Sequence, residues 1–282
     1  MKAKLVSVHG GHSAEFCCHA KDDLRDVVEE YIKKGFSWVG ISEHMPPVSD
    51  QFLYPLEIKM GYTAKTMQER FRKYITACKS LQKEYKEQIE ILVGFETEAY
   101  TGSLGFAGEL ILSEKPDYIV GSVHHVNDLD IDSSTETYSA AVSKAGSIDQ
   151  LYVDYFDLQY QMMQHLQPAV VGHFDLIRIY DPEYKKRINN PIIFERIERN
   201  LDWIQSNDLV LDYNLKGFLK NAQEPYVTEP ILSKAIEMGI KIAPGDDSHG
   251  IETVGMNMEK GMQILDSKGV NNDWPKPKKL SH

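Results

Sequence analysis

Ala169-Val170-Val171-Gly172-His173-Phe174-Asp175 is a short apolar run that stops at a glycine and then delivers an imidazole and a carboxylate. A run of this length, rich in β-branched residues, reads as a strand buried on both faces. The same grammar recurs outward in both directions. Apolar runs at Lys4–Val8, Trp38–Ile41, Ile89–Phe95, Tyr118–Val123, Ala169–Val171, Leu209–Tyr213 and Ile240–Ala243 begin about 30–50 residues apart. Helical patterns fill the gaps. Asp22 to Lys34 sets Leu24, Val27, Val28, Tyr31 and Ile32 on one stripe and stops at Gly35. Thr63–Lys86, Ile148–Leu166 and Ile192–Ile204 repeat the theme, and Thr228-Glu229-Pro230 opens a helix that stops at Gly239. Strand–helix alternation along the whole chain predicts an α/β fold with a parallel sheet of seven strands.

The strand ends choose between an open sheet and a barrel. His9 ends the first run, with His12 and His19 close behind. The second run ends in Ser42-Glu43-His44 and the third in Glu96-Thr97-Glu98. The fourth ends in Ser122-Val123-His124-His125, the fifth in His173-Phe174-Asp175 and the seventh in Asp246-Asp247-Ser248-His249. Setting aside His125, seven of the ten histidines therefore stand at or just after predicted strand ends. In a parallel barrel those ends converge on one rim, where active sites are built. One such histidine is ordinarily a hydrogen-bonded rim residue, but six strand ends acting together point to metal. Imidazole with carboxylate suits zinc, iron or manganese. A catalytic zinc needs about three protein ligands, so this set is enough for two or three divalent ions. A site of that kind suits phosphate-ester hydrolysis. His125 faces the other side of its strand, His165 sits in a helix and His282 near the end, so none of these is expected to be a ligand.

Composition narrows the class. The chain has 282 residues, 42% hydrophobic and 26% charged, as in a globular enzyme. No apolar stretch reaches the roughly 18 residues a membrane span needs. Met1 to Val8 lacks a long apolar core, so no signal peptide is expected and a cytoplasmic location is. A formal net charge of −11 disfavours nucleic acid and anionic membranes as partners. An anionic small-molecule substrate then needs local cations. Cys17, Cys18 and Cys78 form no disulfide framework; Cys17 and Cys18 lie among histidines, which leaves a ligand role open, but with no second cysteine pair the favoured reading is two reduced loop residues. Residues 1–270 are expected to form one domain and 271–282 a solvated tail.

The ordered motifs resemble the PHP (polymerase and histidinol phosphatase) superfamily from about residue 6 to 250. Ser42-Glu43-His44-Met45-Pro46-Pro47, Gly121-Ser122-Val123-His124, Val171-Gly172-His173-Phe174-Asp175-Leu176 and Glu224-Pro225-Tyr226 look most like its histidinol-phosphate phosphatases. The resemblance implies a distorted (β/α)7 TIM-like barrel and up to three ions. It places His9, His12, Glu96 and Asp247 on the first ion, and Glu96, His124 and His173 on the second. His19, His44 and His249 fall on the third. Asp247, His249 and Glu96 are the implied catalytic groups, Asp247 or a nearby histidine serving as the acid for the leaving group. The implied reaction is hydrolysis of L-histidinol phosphate by in-line attack of water, without a covalent phosphoenzyme.

Several positions stay open. The family begins His-x-His, whereas this chain has His9-Gly10-Gly11-His12. Either the two glycines form a bulge that restores convergence, or one of the two histidines is not a ligand. Glu43 is expected to orient the adjacent ligand, and Asp246 is a substitute for Asp247. Arg178 and Lys216 are the cations placed to hold phosphate, a surface charge being the plainer reading of each. Glu15, Glu98 or Tyr213 could meet the substrate's amine and imidazole. Rival readings are a PHP phosphoesterase for another small phosphomonoester or a nucleotide, an amidohydrolase-like barrel, and a metal-binding protein without turnover.

Overall fold

The computed structural model describes residues 4–220 and 224–282. Its strands are β1 Leu5–Gly10, β2 Phe36–His44, β3 Glu90–Glu96 and β4 Val120–Gly121, then a small antiparallel hairpin, β5 His125–Val126 with β6 Leu129–Asp130. β7 Val170–Val171, β8 Val210–Asn214 and β9 Lys241–Gly245 complete the set. The seven strands other than the hairpin pair in the order β1-β2-β3-β4-β7-β8-β9, and every ladder is parallel. All seven predicted runs are strands. Val8, Val39, Ile41, Val120, Val170, Val171 and Leu211 are fully buried among them. Each such side chain contributes roughly 1.5–3 kcal/mol on leaving water, and this fixes which face of a strand looks inward.

Among the described residues β1 and β9 share no ladder, so the sheet is a barrel closed only at its top. There Asp247 donates its N–H to His9 O at 2.9 Å and His12 donates to Ser248 O at 2.7 Å. The Ser7 hydroxyl donates to Asp246 Oδ1 at 2.6 Å. The seam is thus tied through the residues that flank the candidate site.

The helices are α1 Leu24–Lys33, α2 Pro55–Lys59, α3 Ala64–Glu84, α4 Ser103–Glu114, α5 Thr135–Ala145, α6 Ile148–Leu166, α7 Tyr184–Ile188, α8 Pro191–Ser206, α9 Glu229–Glu237 and α10 Met258–Ser267. The stripe-bearing segments fold as predicted, and Thr63 caps α3 by accepting Thr66 N–H at 3.2 Å. Helix α4 was not anticipated because Leu104, Phe106, Leu110, Ile111 and Leu112 run around it and leave no single stripe. None of the helices is long and apolar enough to cross a membrane among the described residues.

The C-terminal segment expected to be a solvated tail is mostly exposed but makes several contacts with the barrel. Trp274 is buried and donates its indole N–H to Lys4 O at 3.2 Å, and Leu280 donates to Asp117 O at 2.7 Å. His282 Nε2 lies 2.6 Å from Pro116 O. Residues 274–282 therefore lie against the chain entering β1 and β4, at the end of the barrel opposite the histidines. A charged segment with one tryptophan reads as solvated by composition, and only the packing reveals its groove.

Candidate metal centre

Glu96 is the hub. It ends β3, is buried, and reaches imidazoles from four other strand ends. Its Oε1 lies 2.7 Å from His173 Nε2 and 3.3 Å from His124 Nε2. Its Oε2 lies 3.4 Å from His9 Nε2, 3.4 Å from His44 Nδ1 and 3.9 Å from His12 Nε2. Asp247 forms a second focus, with Oδ1 3.4 Å from His12 Nε2, 3.5 Å from His249 Nδ1 and 3.1 Å from Lys216 Nζ. His19 stacks on His249 with ring centroids 4.7 Å apart and the two Nε2 atoms 2.9 Å apart. All nine residues proposed as ligands thus meet in one continuous cluster.

The histidine pair of the first strand converges in spite of its extra residue. The pairing of β1 with β2 slips between Ser7 and Gly10, which is a bulge. The glycines serve it by size. Neither has a positive φ, but a Cβ on Gly10 would stand 2.6 Å from Gly40 O, and one on Gly11 would stand 2.4 Å from a Val27 methyl. The slip itself falls at Val8 and His9, and what the glycines supply is the absence of a side chain where Gly40 and Val27 approach.

Unpartnered atoms test whether ions fit. Buried polar atoms are normally hydrogen-bonded. Yet His9 Nε2, both ring nitrogens of His12, and Nδ1 of His44, His124 and His173 are buried with no hydrogen-bond partner. Four groups of donor atoms lie within 4.8 Å of one another. They are His9, His12 and Glu96; His9, His173 and Asp247; His44, Glu96 and His124; and His12, Cys17, His44 and His249. Imidazole, carboxylate and one thiol are the donor set of a transition-metal site, so the residues fit divalent ions. The electrostatics agree. Burial opposes charge on His9, but Glu96 and Asp247 outweigh it and raise its pKa to about 10. Burial likewise opposes charge on Glu96, yet His9, His124 and His44 hold its carboxyl well below the usual range. These carboxylates demand positive charge beside them.

Supporting residues follow from the strand ends, with corrections. Glu43 turns away from His44. It accepts Ser13 N–H and Ser13 O–H, each at 2.7 Å, and stands 3.4 Å from His12 Nδ1. Asp246 points out of the cluster and accepts from Ser7, Tyr31 and Gly255, so it braces the seam and does not replace Asp247. Asp247 itself takes φ +44, which aims its side chain inward while Asp246 faces outward. Glu15 accepts Leu24 N–H at 2.9 Å and caps α1. Arg178 is buried, not poised for phosphate. Its guanidinium donates to Glu224 O at 2.9 Å, Pro225 O at 2.7 Å and Asp175 Oδ2 at 3.2 Å. Glu98 lies beneath the rings, 3.4 Å from His44 Nδ1 and 3.2 Å from Nδ1 of both His124 and His125. Tyr213 is buried away from the cavity.

Above the cluster opens a cavity of about 730 Å³ lined by His19, His44, Glu96, His124, His173, Asp247 and His249. Lys216 and Lys220 line one part, and Tyr54, Leu56, Asp132, Ser133, Leu176 and Ile179 others. The sequence reading missed Lys220, Asp132 and Asp212. Asp212 is fully buried at β8, with Oδ2 3.0 Å from His9 Nδ1. An acid inside the apolar run Leu209–Tyr213 was the available signal. It fixes the imidazole so that Nε2 faces the cluster.

Comparison with known proteins matches residues 10–216 to the PHP domain model. The chain belongs to the PHP family. This PHP chain is 36% identical over 94% of its length, and 87% of the relative's, to a candidate histidinol-phosphatase of Schizosaccharomyces pombe. It is 29% identical to the histidinol-phosphatase of Bacillus subtilis, over 86% of this chain and 94% of that one. The histidinol phosphate phosphatase of Lactococcus lactis, solved with zinc, L-histidinol and phosphate, superposes with a TM-score of 0.73. It is 21% identical and each chain is covered to 95%, a likeness of fold. The PHP fold, the seven-stranded barrel, and the class of phosphoric monoester hydrolase expected from the sequence are borne out.

Proposed function

We propose that this PHP chain hydrolyses L-histidinol phosphate to histidinol and phosphate, as a cytoplasmic step of histidine biosynthesis, with two or three zinc, iron or manganese ions in its cluster. The observation that carries this reading is Glu96. One buried carboxylate faces imidazoles of five histidines whose free nitrogens have no partner in the protein, at the floor of a cavity open to a small molecule. The relatives supply the substrate. His9, His12, Glu96 and Asp247 would hold one ion, Glu96 with His124 and His173 a second, and His19, His44 and His249 a third. When bound, such ions act as Lewis acids and lower the pKa of water.

The chain's own groups provide the rest. Lys216 reaches the cluster from the turn after β8 through Asp247 and, with Lys220, gives the cavity the positive charge that the net −11 of the chain withholds. Both amines suit phosphate oxygens. Asp247 and His249, 3.5 Å apart, are the pair proposed to serve the leaving alkoxide. Asp132, across the cavity, suits the substrate's ammonium group, and Leu56, Leu176 and Ile179 shed water around its carbon frame.

The test is metal analysis joined to hydrolysis assays on a panel of phosphomonoesters that includes histidinol phosphate and a nucleotide. The expected result is bound divalent metal and chelator-sensitive release of phosphate, fastest from histidinol phosphate. Chelator-sensitive activity on other esters alone would refute the substrate and keep the class. No metal and no phosphatase activity would refute both.

A further inference from the structure

Cys17 does not behave as a plain loop thiol. It is buried, and its Sγ lies 3.3 Å from Nδ1 and 3.5 Å from Nε2 of His19. The same sulfur lies within 4.8 Å of a ring nitrogen from each of His12, His44 and His249, which also lie within that distance of one another. His12 is fully buried with both nitrogens unpartnered, and His44 Nδ1 is unpartnered as well. We propose that Cys17 is a thiolate ligand of the ion held beside His44 and His249, so that one metal position in this chain is a mixed sulfur–nitrogen site. The inference rests on the reading that the cluster binds divalent ions.

Three arguments carry it. The first is geometry. With metal–sulfur near 2.3 Å and metal–nitrogen near 2.0–2.1 Å, a tetrahedral site has sulfur–nitrogen edges of about 3.5 Å. The donor atoms of Cys17, His12, His44 and His249, all within 4.8 Å of one another, approach that scale. The second is the scaffold. Cys17 N–H donates to Ser13 O at 2.7 Å, and Ser13 is itself held by Glu43 through two bonds of 2.7 Å. The turn that aims the thiol is therefore pinned to the residue that faces His12. The third is chemical: a thiolate favours zinc and iron over harder magnesium or calcium. Cys18, one residue on, is half-buried and outside this group of donor atoms.

Cobalt(II) is the probe. The full-length chain is stripped with chelator, titrated with cobalt(II) and read by absorption. The wild type is expected to show visible d–d bands together with an intense near-ultraviolet sulfur-to-cobalt charge-transfer band. Cys17→Ser is expected to keep visible bands and lose the charge-transfer band. Visible bands without charge transfer in the wild type, or an undiminished charge-transfer band in C17S, would overturn this inference alone. Absence of every cobalt band would overturn the metal reading with it. Alkylation mapping of the wild type needs no variant. Iodoacetamide should label Cys17 faster after chelation than in the zinc-loaded protein. Equal labelling of Cys17 in the two states also overturns the proposal.

Discussion

Replacing Arg178 with methionine separates a structural guanidinium from a phosphate-binding one. Arg178 donates to the carbonyls of Glu224 and Pro225 and to Asp175. Asp175 in turn accepts the N–H groups of Val227 and Thr228 at 2.9 and 3.0 Å, and the Thr228 hydroxyl. Together they clamp a turn in which Val227 adopts φ +107, a conformation that costs a β-branched residue on the order of 1–3 kcal/mol. Methionine fills most of the volume but donates nothing. Removing one side of a buried ion pair costs about 3–5 kcal/mol, and an orphaned buried carbonyl about 1–3 kcal/mol. The two overlap, so about 3–5 kcal/mol is expected in total. At about 2–4 °C per kcal/mol for chains of similar size, the melting temperature should fall by roughly 6–20 °C. Calorimetry of wild type and Arg178→Met measures it. Steady-state kinetics well below the melting range should show KM for the phosphate ester within about threefold of wild type, since Arg178 is not among the residues lining the cavity. An unchanged melting temperature with KM raised tenfold or more would refute the structural assignment and restore Arg178 as a phosphate ligand.

Other perturbations follow from the same geometry. Gly10→Ala puts a methyl 2.6 Å from Gly40 O, so denaturant titration should show a loss of about 1–3 kcal/mol; an unchanged midpoint would contradict the bulge. Asp212→Asn removes the carboxylate that orients His9, and metal titration should show affinity about 10- to 100-fold weaker with the fold intact by circular dichroism. Wild-type affinity would contradict that role. Chelation should lower thermal stability reversibly, and zinc at a hundred times its dissociation constant should return about 2.7 kcal/mol for one site. A melting temperature indifferent to zinc would count against a resident ion.

The legible part of this protein was its periodicity. Runs such as Ile89–Phe95 and stripes such as Leu24–Ile32 announce strand and helix because burial on two faces or on one leaves a local pattern. The strand-end motifs were legible for a related reason: a parallel barrel places every strand's C-terminal end on the same rim, so their order along the chain already implies a meeting place. Roles that depend on side-chain direction were not. Asp246 and Asp247 are neighbours of identical chemistry, and the backbone twist at Asp247 decides which enters the cluster. Glu43 carries its charge beside His44 in sequence but serves His12, and Glu98, with no histidine near it in sequence, reaches His44 and the His124–His125 pair across the rim.

The sequence by itself determined a seven-stranded parallel α/β barrel with a rim of imidazoles and carboxylates, because hydrophobic period and strand-end position are properties of short segments. Only the tertiary structure decided the rest. It closed the barrel through His9, His12, Asp247 and Ser248. It buried Arg178 under its own loop and brought Cys17 within reach of His12, His44 and His249. It also laid Trp274 against the start of β1. Each of these depends on which distant residues share a space, and contacts between such residues leave no mark in the periodicity of either segment.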